Sequence, residues 1–159
     1  RHPTMTAVVI VIGNEFRRDD GIGPAVATHL AAHPVPGVRA LVCPAEPAAI
    51  LDAWAGSALA IVVDAACGAV PGRVRRCTAD DLADSAPVSS HDLGLRQTYE
   101  LGLVLGRVPG ELVVVTVDVA DTGHGVGLSP AVSAALPVAV RLVRGVLGQQ
   151  AEESVDQKS

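Results

Sequence analysis

Aromatic residues are nearly missing from this chain: one Phe, one Trp and one Tyr in 159 residues. Base-stacking platforms and carbohydrate-binding aromatic stripes therefore have almost no material. Lysine occurs only as Lys158, and 12 basic residues face 17 acidic ones for a formal net charge of -5. The attraction that draws proteins to phosphate backbones is unfavourable overall, which argues against a nucleic-acid partner. Cys43, Cys67 and Cys77 are odd in number, and their spacing fits neither a disulfide framework nor a CxxC metal knuckle. They are expected to be reduced thiols. Uninterrupted apolar runs such as Ala58 to Val63 and Leu112 to Val115 fall far short of the ~20 residues a bilayer crossing needs. The apolar stretch after Met5 leads directly into Asn14, Glu15, Arg17, Arg18, Asp19 and Asp20 without a secretory cleavage pattern. The expectation is a cytoplasmic protein with no membrane span.

Familiar catalytic signatures are lacking too. Gly13 is followed by Asn, Glu and Phe, and Gly21 and Gly23 come too late for GxGxxG; there is no P-loop lysine and no G-x-S-x-G. What is present is a core: 49% of residues are apolar and 18% charged, and a domain of this size buries roughly 70% of its unfolded surface. Thr6 to Ile12 is a continuous β-branched run, the pattern of a central parallel strand covered on both faces. Gly21 to Ala32 resumes with Ile22, Val26 and Leu30 at helical spacing, Pro24 falling in the first turn. Strands follow at Val38 to Val42, Leu59 to Val63 (stopping at Asp64), Arg73 to Cys77 as an edge, and Leu112 to Val117. Helices are expected at Pro47 to Trp54, Leu93 to Leu105 and Pro130 to Leu147, with a loop from Ala83 to Ser90. Alternating strands and helices predict one α/β domain over 1–159, a three-layer sandwich with a mostly parallel or mixed twisted sheet and helices on both faces. Its core lies at about 6–147, and 148–159 reads as a frayed tail.

In such sheets ligands bind beyond the carboxyl ends of the strands. The first exit carries Asp19 and Asp20 just before a helix. Asp19 reads equally as a helix cap, whereas a second like charge beside it needs something positive to compensate. Asp64 ends a strand, where an acid serves either as a loop cap or as a ligand group. His91, after Ser90, would sit at a helix mouth, and alone it reads as a surface histidine. Jointly, Asp20, Asp64 and His91 stand at element exits on one edge of the sheet. Two carboxylates and an imidazole with open positions suit a borderline divalent metal such as Ni or Zn. Asp118, Asp121 and His124, in a Gly-rich loop after a strand, are a second candidate set. Arg73, Arg75 and Arg76 could bind an acidic partner, but read first as protection of an edge strand. Cys67 has no nearby histidine to activate it.

Four segments together resemble the hydrogenase maturation endopeptidases: Gly13-Asn14 leading to Asp19-Asp20-Gly21-Ile22-Gly23, Val63-Asp64-Ala65, Ser90-His91-Asp92-Leu93-Gly94-Leu95, and Gly127-Leu128-Ser129-Pro130. The resemblance spans about residues 7 to 147. It implies a cytoplasmic endopeptidase that removes a C-terminal extension from a nickel-loaded [NiFe]-hydrogenase large-subunit precursor. It carries the metal-contacting role onto Asp20, Asp64 and His91. The nickel then belongs to the precursor, and no permanently bound metal is expected. The chain departs from the family at Glu15-Phe16-Arg17-Arg18, where more apolar residues are usual; Arg17 and Arg18 read as neutralising the acidic pair beside them, or as favouring an acidic or carboxylate-bearing extension. Two other readings stand beside this one: a non-catalytic metal-sensing assembly module for the same precursor, and a self-sufficient zinc hydrolase.

Overall fold

The computed structural model of the chain describes residues 6–14, 16–67, 70–84, 90–120, 123 and 125–158, with the side chains of 67, 83–84, 90–93 and 150–158 outside that description. Five strands form one sheet in the order β2-β1-β3-β5-β4: β1 Ala7–Val11, β2 Val38–Val42, β3 Leu59–Cys67, β4 Val74–Thr78 and β5 Glu111–Val119. β2, β1, β3 and β5 are parallel, and β4 runs antiparallel to β5 at the edge. The helices are α1 Ile22–Ala32, α2 Pro47–Trp54, α3 Ala79–Asp84, α4 Ser90–Leu105 and α5 Pro130–Lys158.

Every residue of β1 is buried, as its unbroken β-branched run requires of a strand covered on both faces. Alternate side chains serve two separate clusters. Val9, Val11, Ile61, Val63, Val113 and Val115 pack against Ile22 and Val26 of α1 and Val132, Ala139 and Val143 of α5. Val8, Ile10, Val62 and Val114 pack against Ile50, Leu51 and Trp54 of α2, Leu82 of α3 and Leu95 of α4. The three-layer arrangement expected from the sequence is therefore present, with the sheet mixed rather than wholly parallel.

Several boundaries differ from the sequence reading. β3 does not stop at Asp64 but continues to Cys67, because β5 runs alongside it from Glu111 to Val119. β1 is shorter, its last pairing being Val11 with Val63, so Asp64 lies one residue beyond the point where β3 loses its neighbour on that side. Part of the stretch expected to be a loop from Ala83 is the end of α3, whose Thr78 side chain and backbone amide both bond the Asp81 carboxylate at the helix start; residues 85–89 lie outside the described residues. α5 extends past Leu147 to Lys158, since the Gln, Ala and Glu residues that follow are good helix formers. Its segment Pro130–Gln149, of mean hydropathy 1.5, is long and apolar enough to cross a membrane by length and composition alone. No long uninterrupted apolar run announces it in the sequence, because Ser133, Pro137, Arg141 and Arg144 break it. In the fold one face of it is core: Val132, Ala139 and Val143 are fully buried.

Candidate active site

β1 sits between β2 and β3, so the chain leaves it toward one side and later returns on the other. That reversal makes the carboxyl ends of β1 and β3 the topological switch point of the sheet, the place where open α/β sheets hold ligands. Immediately after β1 the chain folds back on itself. Gly13 has φ +153, and a Cβ there would collide with the backbone carbonyl of Asp20; a Cβ on Gly23 would lie 2.7 Å from the carbonyl oxygen of Ile12. Only glycine permits both approaches. Asn14 completes the turn: its Oδ1 accepts the Phe16 amide at 2.9 Å, and its own amide donates to Asp20 Oδ2 at 2.9 Å. Asp20 is thus held, half-buried, on a short 3-10 turn (Arg18–Gly21) at the mouth of α1.

Its neighbour Asp19 does different work from the helix cap expected of it, and no side-chain cap bond forms at this turn or at α1. The carboxylate of Asp19 is 0% exposed. Oδ1 accepts the Ser129 amide at 2.6 Å; Oδ2 accepts the Ala120 amide and the Ser129 hydroxyl, each at 2.9 Å. One buried acid therefore joins the β1 exit, the β5 exit and the entry to α5. A second tie lies beside it: Gly125 donates its amide to the Phe16 carbonyl at 2.9 Å and accepts the Arg18 amide at 3.1 Å. Arg18 adopts φ +47, a left-handed conformation that a non-glycine residue takes only when surroundings fix it.

Asp64 faces the opposite way from Val63, onto the sheet face covered by α2, α3 and α4, and is 6% exposed. α4 runs 16 residues, about 24 Å, and its end connects through Gly106 and Gly110 to the amino edge of the sheet, where the Gly110 amide bonds Ser57. Its start is therefore at the carboxyl edge. Residue 91 occupies the position one turn before Leu95, which packs on Val62 and Val114. Ser90 is the first helical residue, so His91 belongs to the first turn rather than preceding it. The fold brings Asp20, Asp64 and the backbone of His91 to one edge, Asp20 just beyond β1 and Asp64 on the neighbouring β3. Among the described residues no three His, Cys, Asp or Glu side chains form a ready metal-holding group, the His91 side chain being outside the description.

Asp118 corrects the second candidate set. It lies within β5 rather than in the following loop, is 2% exposed, and pairs with Arg75 Nη2 at 2.8 Å; Asp121 and His124 lie outside the described residues. Arg75 accordingly does not guard the edge of β4 but turns inward to a buried acid, while Arg76 stays exposed. Sequence reading missed the pair because its partners are 43 residues apart and meet only through the antiparallel register of β4 on β5. Cys43 is buried, and burial with the adjacent Glu46 carboxylate pushes its thiol above the usual 9.0. That is the reverse of an activated nucleophile. The side chain of Cys67 is outside the description.

The fold is an open α/β sheet that carries Asp20 and Asp64 at its topological switch point, where such sheets hold ligands. Solved structures narrow the class. The chain superposes on the hydrogenase maturating endopeptidase HybD from E. coli with a TM-score of 0.81 at 23% identity, covering 92% of this chain and 94% of that one. The hydrogenase 2 maturation peptidase from Thaumarchaeota archaeon SCGC_AB-539-E09 gives 0.68 at 27% identity, over 90% and 98%. The [NiFe] hydrogenase maturation protease HybD from Thermococcus kodakarensis gives 0.72 at 22% identity, over 89% and 99%. No curated protein is similar enough to count as a match. The hydrogenase maturation protease (HycI) family model matches residues 46–146, and the chain belongs to that family of hydrolases.

Proposed function

We propose that this protein is an endopeptidase that removes a C-terminal extension from the nickel-loaded large-subunit precursor of a [NiFe] hydrogenase, acting in the cytoplasm. Asp20, Asp64 and His91 contact the nickel of the precursor. The observation that supports the reading is that Asp20 and Asp64 stand at the switch point of the sheet with the first turn of α4 at the same edge, in a chain of this family. Carboxylate and imidazole donors with open positions suit a borderline divalent ion already held by other ligands. Docking then depends on loading, because three side chains of this kind gain coordination only when the ion is present. With the metal as a Lewis acid beside the scissile carbonyl, water attack on the peptide is the chemistry it would supply.

Mass spectrometry of the precursor C-terminus decides the matter. Incubation should shorten the nickel-loaded precursor and leave the nickel-free one intact; equal processing of both would remove the nickel dependence, and an unchanged mass for both would favour a non-cutting assembly module. Asp20→Asn, Asp64→Asn and His91→Ala should each abolish shortening while the unfolding temperature stays close to that of the parent.

A further inference from the structure

The face of the sheet that carries Asp64 also carries a polar row. By register Asp64 on β3 lies opposite Thr116 on β5, and Thr116 lies opposite Arg75 on β4, so the three residues occupy adjacent strands on one side. Strands stand about 4.8 Å apart, which puts Arg75 about 10 Å from Asp64 across the sheet, the length of about three extended residues. Asp118, two residues along β5 from Thr116, takes one terminal nitrogen of Arg75 at 2.8 Å. Asp118 is 2% exposed, whereas the Arg75 side chain remains 34% exposed. The guanidinium is thus anchored on its inner side and open on its outer side.

As a stabilising device the pair is poor. A buried ion pair offsets its desolvation only when its remaining donors are satisfied, and Arg75 Nε is buried with no hydrogen-bond partner among the described residues. An apolar pair of similar volume would serve the core as well. We propose that Arg75, held in place by Asp118, is a substrate-reading residue: it donates to an oxygen acceptor on the precursor about three residues from the group held at Asp64. The acceptor is a main-chain carbonyl or a carboxylate of the segment flanking the cut. This rests on the peptidase reading above, and it adds a fourth contact that lies on an edge strand away from the proposed metal ligands.

The test replaces the whole pair. Arg75→Met alone strands a buried carboxylate and is expected to destabilise the fold, so the informative protein is Arg75→Met/Asp118→Leu, in which no charge is left unpaired. It should unfold close to the parent temperature and cut the nickel-loaded precursor with KM raised about ten- to a hundredfold, the worth of one hydrogen bond to a charged donor. Its kcat should be little changed. Arg75→Lys should recover part of the loss. Precursors with the acids flanking the cut changed to amides then separate the two acceptors: a penalty that disappears assigns a carboxylate, and one that persists assigns a main-chain carbonyl. A stable double variant with parental KM overturns the proposal. If the parent protein itself cuts nothing, the peptidase reading has failed, and the affinity of each protein for the precursor still decides the role of Arg75: about tenfold weaker binding supports it, and equal binding overturns it.

Discussion

Replacing Asp19 by Asn changes a single atom in a fully buried group, which lets its effect be worked out from the contacts. The carboxylate accepts from at least three donors: Oδ1 from the Ser129 amide, and Oδ2 from the Ala120 amide and the Ser129 hydroxyl. An asparagine has one oxygen. If its NH2 takes the Oδ1 place, it opposes the Ser129 N–H across a contact of 2.6 Å. If it takes the Oδ2 place, the Ser129 hydroxyl turns to accept from it, but the Ala120 N–H is left facing a donor. Either way one backbone amide is orphaned, at about 1–3 kcal/mol, and the surviving bonds lose their charge assistance. The sum is about 3 kcal/mol, or roughly 6–12 °C in unfolding temperature for a domain of this length. Circular dichroism on heating gives the shift, and hydrogen exchange at the Ala120 and Ser129 amides shows whether the opening is local. Asp20→Asn is the control, since Asp20 is half-buried and accepts the Asn14 amide from an exposed position; its loss should stay below about 1 kcal/mol. A shift for Asp19→Asn no larger than that of the control would refute the clamp.

Gly13→Ala should lower stability by at least about 2 kcal/mol, because the new methyl meets the Asp20 carbonyl in a backbone region closed to alanine; urea denaturation measures it, and a parental midpoint would contradict the close approach. Gly145→Ala, in open space within α5, serves as the comparison and should be neutral or mildly stabilising. The Cys43 thiol has its pKa raised in the fold, so the neutral form is favoured there. Its contribution to stability is full below the usual 9.0 and is lost as the pH rises through the higher folded value. Alkylation of the folded protein near neutral pH should therefore spare Cys43, and rapid labelling there would show the burial to be wrong.

The core was legible because its signal is compositional. The run Ala7 to Val11 and the helical spacing of Ile22, Val26 and Leu30 each specify a buried surface without reference to partners. Strand lengths were not, since β3 continues past Asp64 only because β5 lies beside it, and no property of Asp64 or Ala65 announces that neighbour. The acids divide the same way. Asp20 and Asp64 were found by their positions at strand exits, which the parallel topology converts into one edge. Asp19 read from sequence only as a helix cap or a support for its neighbour, because its partners Ala120 and Ser129 lie 101 and 110 residues away and its role as a clamp appears only in the fold. The Arg75–Asp118 pair was hidden for the same reason: periodicity reports which face a residue takes, not which strand adjoins it.

The nickel of a loaded precursor offers the most direct test of the whole account. Its K-edge absorption spectrum, recorded on the precursor alone and after rapid freezing with this protein before cutting, should show added oxygen and nitrogen ligands at about 2.0–2.2 Å. Those ligands should diminish with Asp20→Asn, Asp64→Asn and His91→Ala. A nickel environment that is identical with and without the protein would contradict the claim that these three residues meet the metal.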